Sequence, residues 1–210
     1  MTDYLARAMD KHGKDNRVKK IAGLVSWATP VLLVSPPAGA AMMASAYLQF
    51  LGLEGPEREW DIKVGMENLA EGGIILCGMM GYCSWVDYST AGNIHFGYVA
   101  GRAKMNELFA GVVGGALELF EQALEGEEVQ WSNCRSNSMP ILCDNPGDQV
   151  AVDLGFQLAR EYPGGIKPYQ LHLALHVHGF TRFQKPPARF IEPFPARPEK
   201  NMYGPDDFNN

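Results

Sequence analysis

The sequence lacks an excess of positive charge and lacks the short motifs of several common enzyme classes. It has 18 Lys+Arg against 24 Asp+Glu, a formal charge of -6 over 210 residues, which counts modestly against nucleic-acid binding because phosphate contacts normally need a basic face. No P-loop, GxSxG, HExxH or EF-hand pattern is present, so the sites that these motifs mark are not indicated. With 46% hydrophobic residues, a wholly disordered chain is excluded.

Cysteine is scarce, with four residues in two local pairs: Cys77 and Cys83, then Cys134 and Cys143. Neither spacing matches the close pairs of common zinc sites, so structural zinc held by cysteine alone is not expected. Four buried thiols are the favoured interpretation, because cysteine is among the most buried residue types and a chain of this size does not need disulfide bonds to be stable. Two disulfides in an oxidising compartment are the alternative.

Charge is absent from residues 21–53, and six Lys/Arg between Arg7 and Lys20 precede this run. Pro30 and the Pro36-Pro37 pair interrupt it, and proline removes a helical donor and clashes with the preceding turn. We therefore expect two apolar pieces, near residues 21–34 and 38–53, packed as a buried helical hairpin. A hairpin that enters a membrane and a segment that only resembles a signal peptide are the alternatives.

Hydrophobic spacing and turn residues predict a mainly helical fold of four to six helices. We expect a short β-hairpin or loop near residues 87–97, a helix across 102–124 and a loop at 130–143. A further helix should start at Asp144-Asn145-Pro146 and run to about Tyr162, because a capping residue, proline and an acid stand in order. These elements predict an N-terminal delivery or anchoring segment (1–53), a catalytic body (54–180) and an extended proline-rich tail (181–210).

Three histidines, His172, His176 and His178, form the densest group of ligand-type side chains. In a strand all three share one face, and in a helix the first two lie one turn apart, so either geometry could hold a divalent metal. Because no acid or cysteine stands nearby, we expect the polar face of a helix or strand instead. No metal or other cofactor is predicted.

Other candidate groups occur singly. Glycines flank His95, so a ligand could approach the backbone there and the imidazole could act as a general acid or base; a turn in which Asn93 and His95 bond local backbone is the favoured alternative. Asp61 and Lys63 would share one face of a strand, and a surface ion pair is their alternative. Asp148 would lie in the first turn of a helix, where the dipole favours an acid whether or not it does chemistry.

Three segments are weak signals singly and more specific in their order along the chain. They are W-D-I-K at 60–63, G-N-I-H-F-G-Y-V at 92–99 and D-N-P-G-D-Q at 144–149, with a predicted helix across 112–122. Together they resemble the bacterial polymorphic toxin type 44 domain, over residues 60–162, roughly half the chain. The resemblance implies a secreted or injected effector, carried by contact-dependent or phage-like secretion machinery and neutralised by a cognate immunity protein.

The main functional hypothesis is an antibacterial peptidoglycan hydrolase that acts in the bacterial periplasm or envelope. It follows from the acidic balance, the lack of a basic stripe, the apolar run and the locally paired cysteines. Asp61 and Asp148 are the candidate carboxylates for acid, base or nucleophile, and Lys63 and His95 complete the predicted catalytic set. The residues predicted to contact substrate are Trp60, Asn93, Tyr98, Asp144 and Gln149.

Two alternatives remain open from the sequence. A ribonuclease acting in the cytosol would use His95 as base and Lys63 to stabilise phosphate charge, and only this alternative predicts a nucleic-acid partner. A non-enzymatic membrane-active toxin would act through residues 21–53. In the main hypothesis, secretion machinery or a chaperone covers residues 21–53, because an apolar surface of that size is otherwise an aggregation hazard; membrane contact is the alternative.

Overall fold

The computed structural model describes residues 1–55, 58–62, 73–107 and 146–183. Within these ranges the protein is mainly helical, with six α-helices and one two-stranded antiparallel sheet, as the sequence predicts. The helices are α1 (Thr2–Gly13), α2 (Asn16–Val34), α3 (Pro36–Glu54), α4 (Tyr88–Arg102), α5 (Pro146–Glu161) and α6 (Pro168–His178), and the strands are β1 (Gly73–Cys77) and β2 (Cys83–Asp87).

Helix α1 lies in the hydrophobic core. Leu5, Ala6 and Met9 recur at helical spacing and are fully buried, and they belong to one apolar cluster with side chains of α2 to α6 and the sheet. Helices on both sides of residue 53, where the sequence predicts a division of the chain, contribute to this one cluster.

Helices α2 and α3 form the helical hairpin that the uncharged run predicts. The chain reverses at Ser35, and Pro30 lies inside α2 without ending it. The half of the hairpin near the body is buried through Ile21, Val25 and Phe50, whereas the distal half is largely exposed. The prediction that the hairpin is buried was therefore wrong for its distal half. No helix in the described ranges is both long and apolar enough to cross a membrane.

The β-hairpin lies at residues 73–87, immediately before the 87–97 position predicted for it. Its antiparallel register places Cys77 opposite Cys83, and a disulfide joins them. The prediction of free thiols was wrong for this pair, because sequence spacing does not reveal that two strands bring the side chains together. Cys134 and Cys143 lie outside the described residues.

Residues 88–97, predicted as a hairpin or loop, form the first part of helix α4. Asp87 caps this helix, since its carboxylate accepts a hydrogen bond from the backbone N–H of Ser89 at 2.8 Å. A capping acid satisfies one of the unpaired donors at a helix start. The serine, threonine and glycine that suggested a turn therefore belong to a capped helix.

Helices α4 and α5 cross with their backbones in contact. A Cβ at Gly97 would lie 2.1 Å from the carbonyl oxygen of Val152, and one at Gly155 would lie 2.3 Å from the carbonyl oxygen of Ile94. Any side chain at either glycine would force the helices apart. Gly97, two residues after His95, therefore makes room for helix α5. The sequence had suggested that this glycine makes room for a ligand.

Helix α5 begins at Pro146 and ends at Glu161, close to the predicted bounds. Ala151, Leu154 and Leu158 form an apolar stripe along one side of the helix, and all three are buried. The segments predicted beyond residue 107, namely the rest of the helix across 102–124 and the loop at 130–143, lie outside the described residues. Residues 184–210 of the predicted proline-rich tail also lie outside them.

Candidate functional site

Three side chains from separate helices form a hydrogen-bonded chain. His95 of α4 lies in the middle, with its Nε2 atom 2.8 Å from Nδ1 of His12 in the last turn of α1. On its other side, His95 Nδ1 lies 3.1 Å from Oε2 of Glu54, the last residue of α3. We call these three residues the Glu–His–His chain. It connects parts of the sequence that are 83 and 41 residues apart.

Burial differs along the Glu–His–His chain. The side chains of His95 and Glu54 are 0% and 3% exposed, whereas His12 is partly exposed. The second carboxylate oxygen of Glu54, Oε1, is buried and has no hydrogen-bond partner among the described residues. A buried carboxylate oxygen without a hydrogen-bond partner destabilises the folded state. Glu54 therefore differs from most buried polar groups, which have all their hydrogen bonds.

With Glu54 ionised and both histidines neutral, one set of proton positions satisfies the two hydrogen bonds. The carboxylate accepts from His95 Nδ1–H, which leaves His95 Nε2 as an acceptor for His12 Nδ1–H. Nε2 of His12 then carries a lone pair. A base oriented by a second group, which a third group orients in turn, is the arrangement that activates nucleophiles in many hydrolases.

Trp60 holds the ring of His12 in place. The two rings stack with centroids 4.7 Å apart and planes 10° apart, and the indole is 2% exposed. The guanidinium of Arg17 lies over the same indole, with its Cζ atom 4.6 Å from the ring centroid. The orientation of His12 therefore depends on a stacked aromatic as well as on His95.

Arg17 also pairs with two acids, Asp15 and Glu59. It donates hydrogen bonds to both carboxylate oxygens of Asp15 and of Glu59, at 2.6 to 3.1 Å. These bonds are the main reason that the pKa values of both acids are lowered. Burial lowers the pKa of His12 to about 4, so its ring is neutral at physiological pH.

The same three residues also offer ligands for a metal ion, with donor atoms within 4.8 Å of one another. The two nitrogens of one imidazole point away from each other, so His95 cannot give both to a single ion. One ion between the histidines would take His12 Nδ1 and His95 Nε2, with Glu54 as the outer carboxylate that orients His95. The described residues thus supply two ligands to such an ion.

The predicted site residues do not all meet. Asp148 is nearly buried in the first turn of α5 and accepts a hydrogen bond from the Ser89 hydroxyl at 3.0 Å, with Gln149 beside it. Ser89 and His95 are six residues apart on α4, about 9 Å along the axis and about 120° around it. Asp148 and His95 therefore serve different faces of α4, while Lys63 and Asp144 lie outside the described residues.

Several residues predicted to contact substrate lie in the interior. Asn93 is 8% exposed and Tyr98 is 0% exposed. Burial raises the pKa of Tyr98 to about 12, and its hydroxyl has no hydrogen-bond partner among the described residues. Trp60 contacts the site but is buried against His12, and Asp61 follows it in a turn.

The three histidines of α6 have different partners. His172 Nε2 lies 2.8 Å from Oδ1 of Asp3, and His178 Nε2 lies 3.0 Å from Oε1 of Gln157. The ring of His176 lies 5.5 Å from that of Tyr82. These contacts fit the predicted polar helix face, and they do not bring the three rings to one point.

Sequence reasoning identified His95 and Trp60 and missed His12 and Glu54. One signal was available for Glu54, since it is the first charged residue after the 33 uncharged positions of the apolar run. A carboxylate at the end of an apolar helix pair is placed to be buried and to need a partner. Comparisons with protein-family models, curated proteins and solved structures found no match to this chain.

Proposed function

We propose that the protein is a secreted antibacterial effector that hydrolyses peptidoglycan, with His12 as the general base. The observation that carries this proposal is the hydrogen-bonded chain from Glu54 through His95 to His12. His12 is the partly exposed end of this hydrogen-bonded chain.

In the proposed reaction, Nε2 of His12 accepts a proton from a water molecule as that water attacks the scissile bond. As Nε2 of His12 takes up this proton, its Nδ1–H stays hydrogen-bonded to His95, which in turn donates to the Glu54 carboxylate and so keeps both rings oriented. The same proton then passes from His12 to the leaving group. The pKa of about 4 keeps His12 unprotonated at neutral pH; it also makes the ring a weak base that readily returns the proton.

Three further features support an effector that acts in the envelope. The Cys77–Cys83 disulfide suits an oxidising compartment. The net charge of -6 disfavours RNA as substrate. The motif order described above resembles a family of secreted bacterial toxins, which also supplies the expectation of an immunity protein.

The test is expression in bacteria with and without a periplasmic signal sequence, followed by digestion of purified peptidoglycan sacculi. We expect cell rounding and lysis only after export, and release of soluble fragments from sacculi. His12→Phe keeps a ring on Trp60 and removes the base, and Glu54→Gln keeps the shape of the side chain. Each should lower fragment release about 100-fold or more.

His176→Phe is the matched control, because His176 is an exposed histidine of α6 and should release fragments like the wild type. Wild-type activity in His12→Phe would refute the assigned base. Toxicity confined to cytosolic expression, together with degraded RNA, would refute peptidoglycan hydrolysis and favour the ribonuclease alternative.

A further inference from the structure

The distal half of the α2–α3 hairpin is an exposed apolar projection, which we call the hairpin tip (residues 27–45). Within it Ala28 and Gly39 alone are buried. The exposed fractions of Trp27, Leu33 and Val34 are 69%, 85% and 88%. The sequence places no charge between residues 21 and 53, so the polar side chains of the tip are limited to the hydroxyls of Thr29, Ser35 and Ser45. Soluble proteins rarely expose a contiguous apolar surface of this kind.

Chemical character changes in order along one face of α2. Lys20, Trp27 and Val34 are spaced by seven residues, so they lie on nearly the same side of the helix, about 10 Å apart along its axis. All three are exposed. A cation, an interfacial aromatic and an aliphatic side chain in this order match the phosphate, interfacial and hydrocarbon layers of a bilayer leaflet.

A second cation lies at the level of Trp27. Lys104, just beyond α4, places its ammonium 3.2 Å from the hydroxyl of Ser26, the residue before Trp27. With Lys20 it puts positive charge on the body side of the tip. This arrangement is complementary to anionic phosphates at the surface of a membrane, where each lysine contributes about 1 kcal/mol of attraction.

The turn of the hairpin has few unpaired backbone N–H groups. The backbone N–H of Ser35 donates to the carbonyl of Val31 at 2.7 Å, and the first two residues of α3, Pro36 and Pro37, have no N–H. Each unpaired backbone N–H at a helix start costs several kcal/mol when it is placed in hydrocarbon. Two of them do not exist here, which lowers the cost of burying this helix end in lipid.

From these observations we infer that the hairpin tip inserts into one leaflet of an anionic phospholipid bilayer, with Trp27 at the interface and Lys20 and Lys104 at the phosphates. The tip extends about 10 Å beyond Trp27, about a third of the hydrocarbon thickness. Insertion therefore stops within the first leaflet. This contact brings the protein to a membrane surface and does not depend on the reaction at His12.

Flotation of the full chain with phospholipid vesicles tests the inference. We expect binding to vesicles of phosphatidylcholine mixed with phosphatidylglycerol, and weaker binding to phosphatidylcholine alone. The double variant Leu33→Glu, Val34→Glu should lower binding about tenfold or more, because both side chains would lose their contact with hydrocarbon. Lys20→Glu should weaken binding only to the anionic vesicles.

The matched control is Leu173→Glu, Val177→Glu, which charges two exposed apolar positions of α6 and should bind like the wild type. Circular dichroism establishes that each variant is folded. Equal binding by the tip and α6 variants would overturn the inference. No flotation of the wild type, with dimers that the tip variant abolishes, would also overturn it and assign the tip to a second copy of the chain.

Discussion

His12 and His95 are 83 residues apart in sequence and 2.8 Å apart in space, whereas His172, His176 and His178 share one helix and contact Asp3, Tyr82 and Gln157. The first pair meets because α1 and α4 pack against each other. The second group diverges because neighbours on a helix project around its axis toward different elements. Closeness in sequence is therefore a poor guide to a shared site, and a buried acid such as Glu54 is a better one.

The largest expected contrast between the two groups is in stability. His95→Ala leaves the buried Glu54 carboxylate without its partner and should lower the free energy of unfolding by about 3–5 kcal/mol. His176→Ala removes an exposed ring and should change it by about 0.5 kcal/mol or less. Urea denaturation measures both. Equal losses would mean that the Glu–His–His chain has no special energetic role.

Removal of the disulfide should disturb the histidines of α6 and leave His12 and His95 unchanged. Cys77→Ser with Cys83→Ser opens the turn that contacts α6, where Gly78 packs on the backbone of His176. We expect a loss of about 2 kcal/mol, because the closed loop is short. NMR spectra should show shifted ring resonances for His172 and His176 and unchanged ones for His12 and His95. Shifts confined to His12 and His95 would contradict the independence of the two groups.

Acid should destabilise the protein through His12. Its pKa is about 4 in the folded protein and about 6.5 in an unfolded chain, so between these values the unfolded state binds the extra proton. Stability is therefore unaffected above pH 6.5, falls as the pH drops toward 4, and stays low below that value. The full shift corresponds to about 3 kcal/mol, and solvent screening of this partly exposed ring reduces it to about 1–2 kcal/mol.

Thermal melts across this pH range measure the effect, and His12→Phe should flatten the profile. His172→Phe is the control and should retain the decline. If the profile of His12→Phe matched that of the wild type, another group would be responsible for the acid sensitivity.

The smallest expected effect is a coupling energy between His12 and Glu54, the two ends of the Glu–His–His chain. A double-mutant cycle with His12→Phe and Glu54→Gln should give about 1 kcal/mol, because both act through His95. The same cycle with His172→Phe in place of His12→Phe should give a value near zero. Urea denaturation of the four proteins in each cycle provides the numbers. Zero coupling in the first cycle would show that His95 does not link the energetic effects of His12 and Glu54.

The parts of the fold that follow local rules were predictable from sequence. The helical hairpin follows from an uncharged run divided near Ser35, and α5 follows from Asp144-Asn145-Pro146 and an apolar stripe. Helix α4 was missed because its glycines, serine and asparagine have low helix propensity. Its stability comes from packing against α1 and α5, which no local pattern in residues 88–102 reveals.

The candidate site was predictable in part for a similar reason. His95 and Trp60 stand in distinctive segments, and both lie in or beside the Glu–His–His chain. His12 lies among lysines and acids in α1 and looks like one more surface residue. Only the packing of α1 against α4 gives it a partner, and that contact joins residues too far apart in sequence to be paired by spacing.

The crossing at Gly97 and Gly155 has a consequence for how variants of this protein should be read. A mutational scan that tests the proposed toxicity should mark both glycines as intolerant alongside His95, because a side chain at either glycine would separate α4 from α5. Such a scan records steric and chemical requirements with the same signal. The motif that contains Gly97 and His95 therefore joins two requirements, one for helix contact and one for the hydrogen bonds of His95 to Glu54 and His12. A related sequence could keep the glycines, and with them the helix crossing, after losing the Glu–His–His chain.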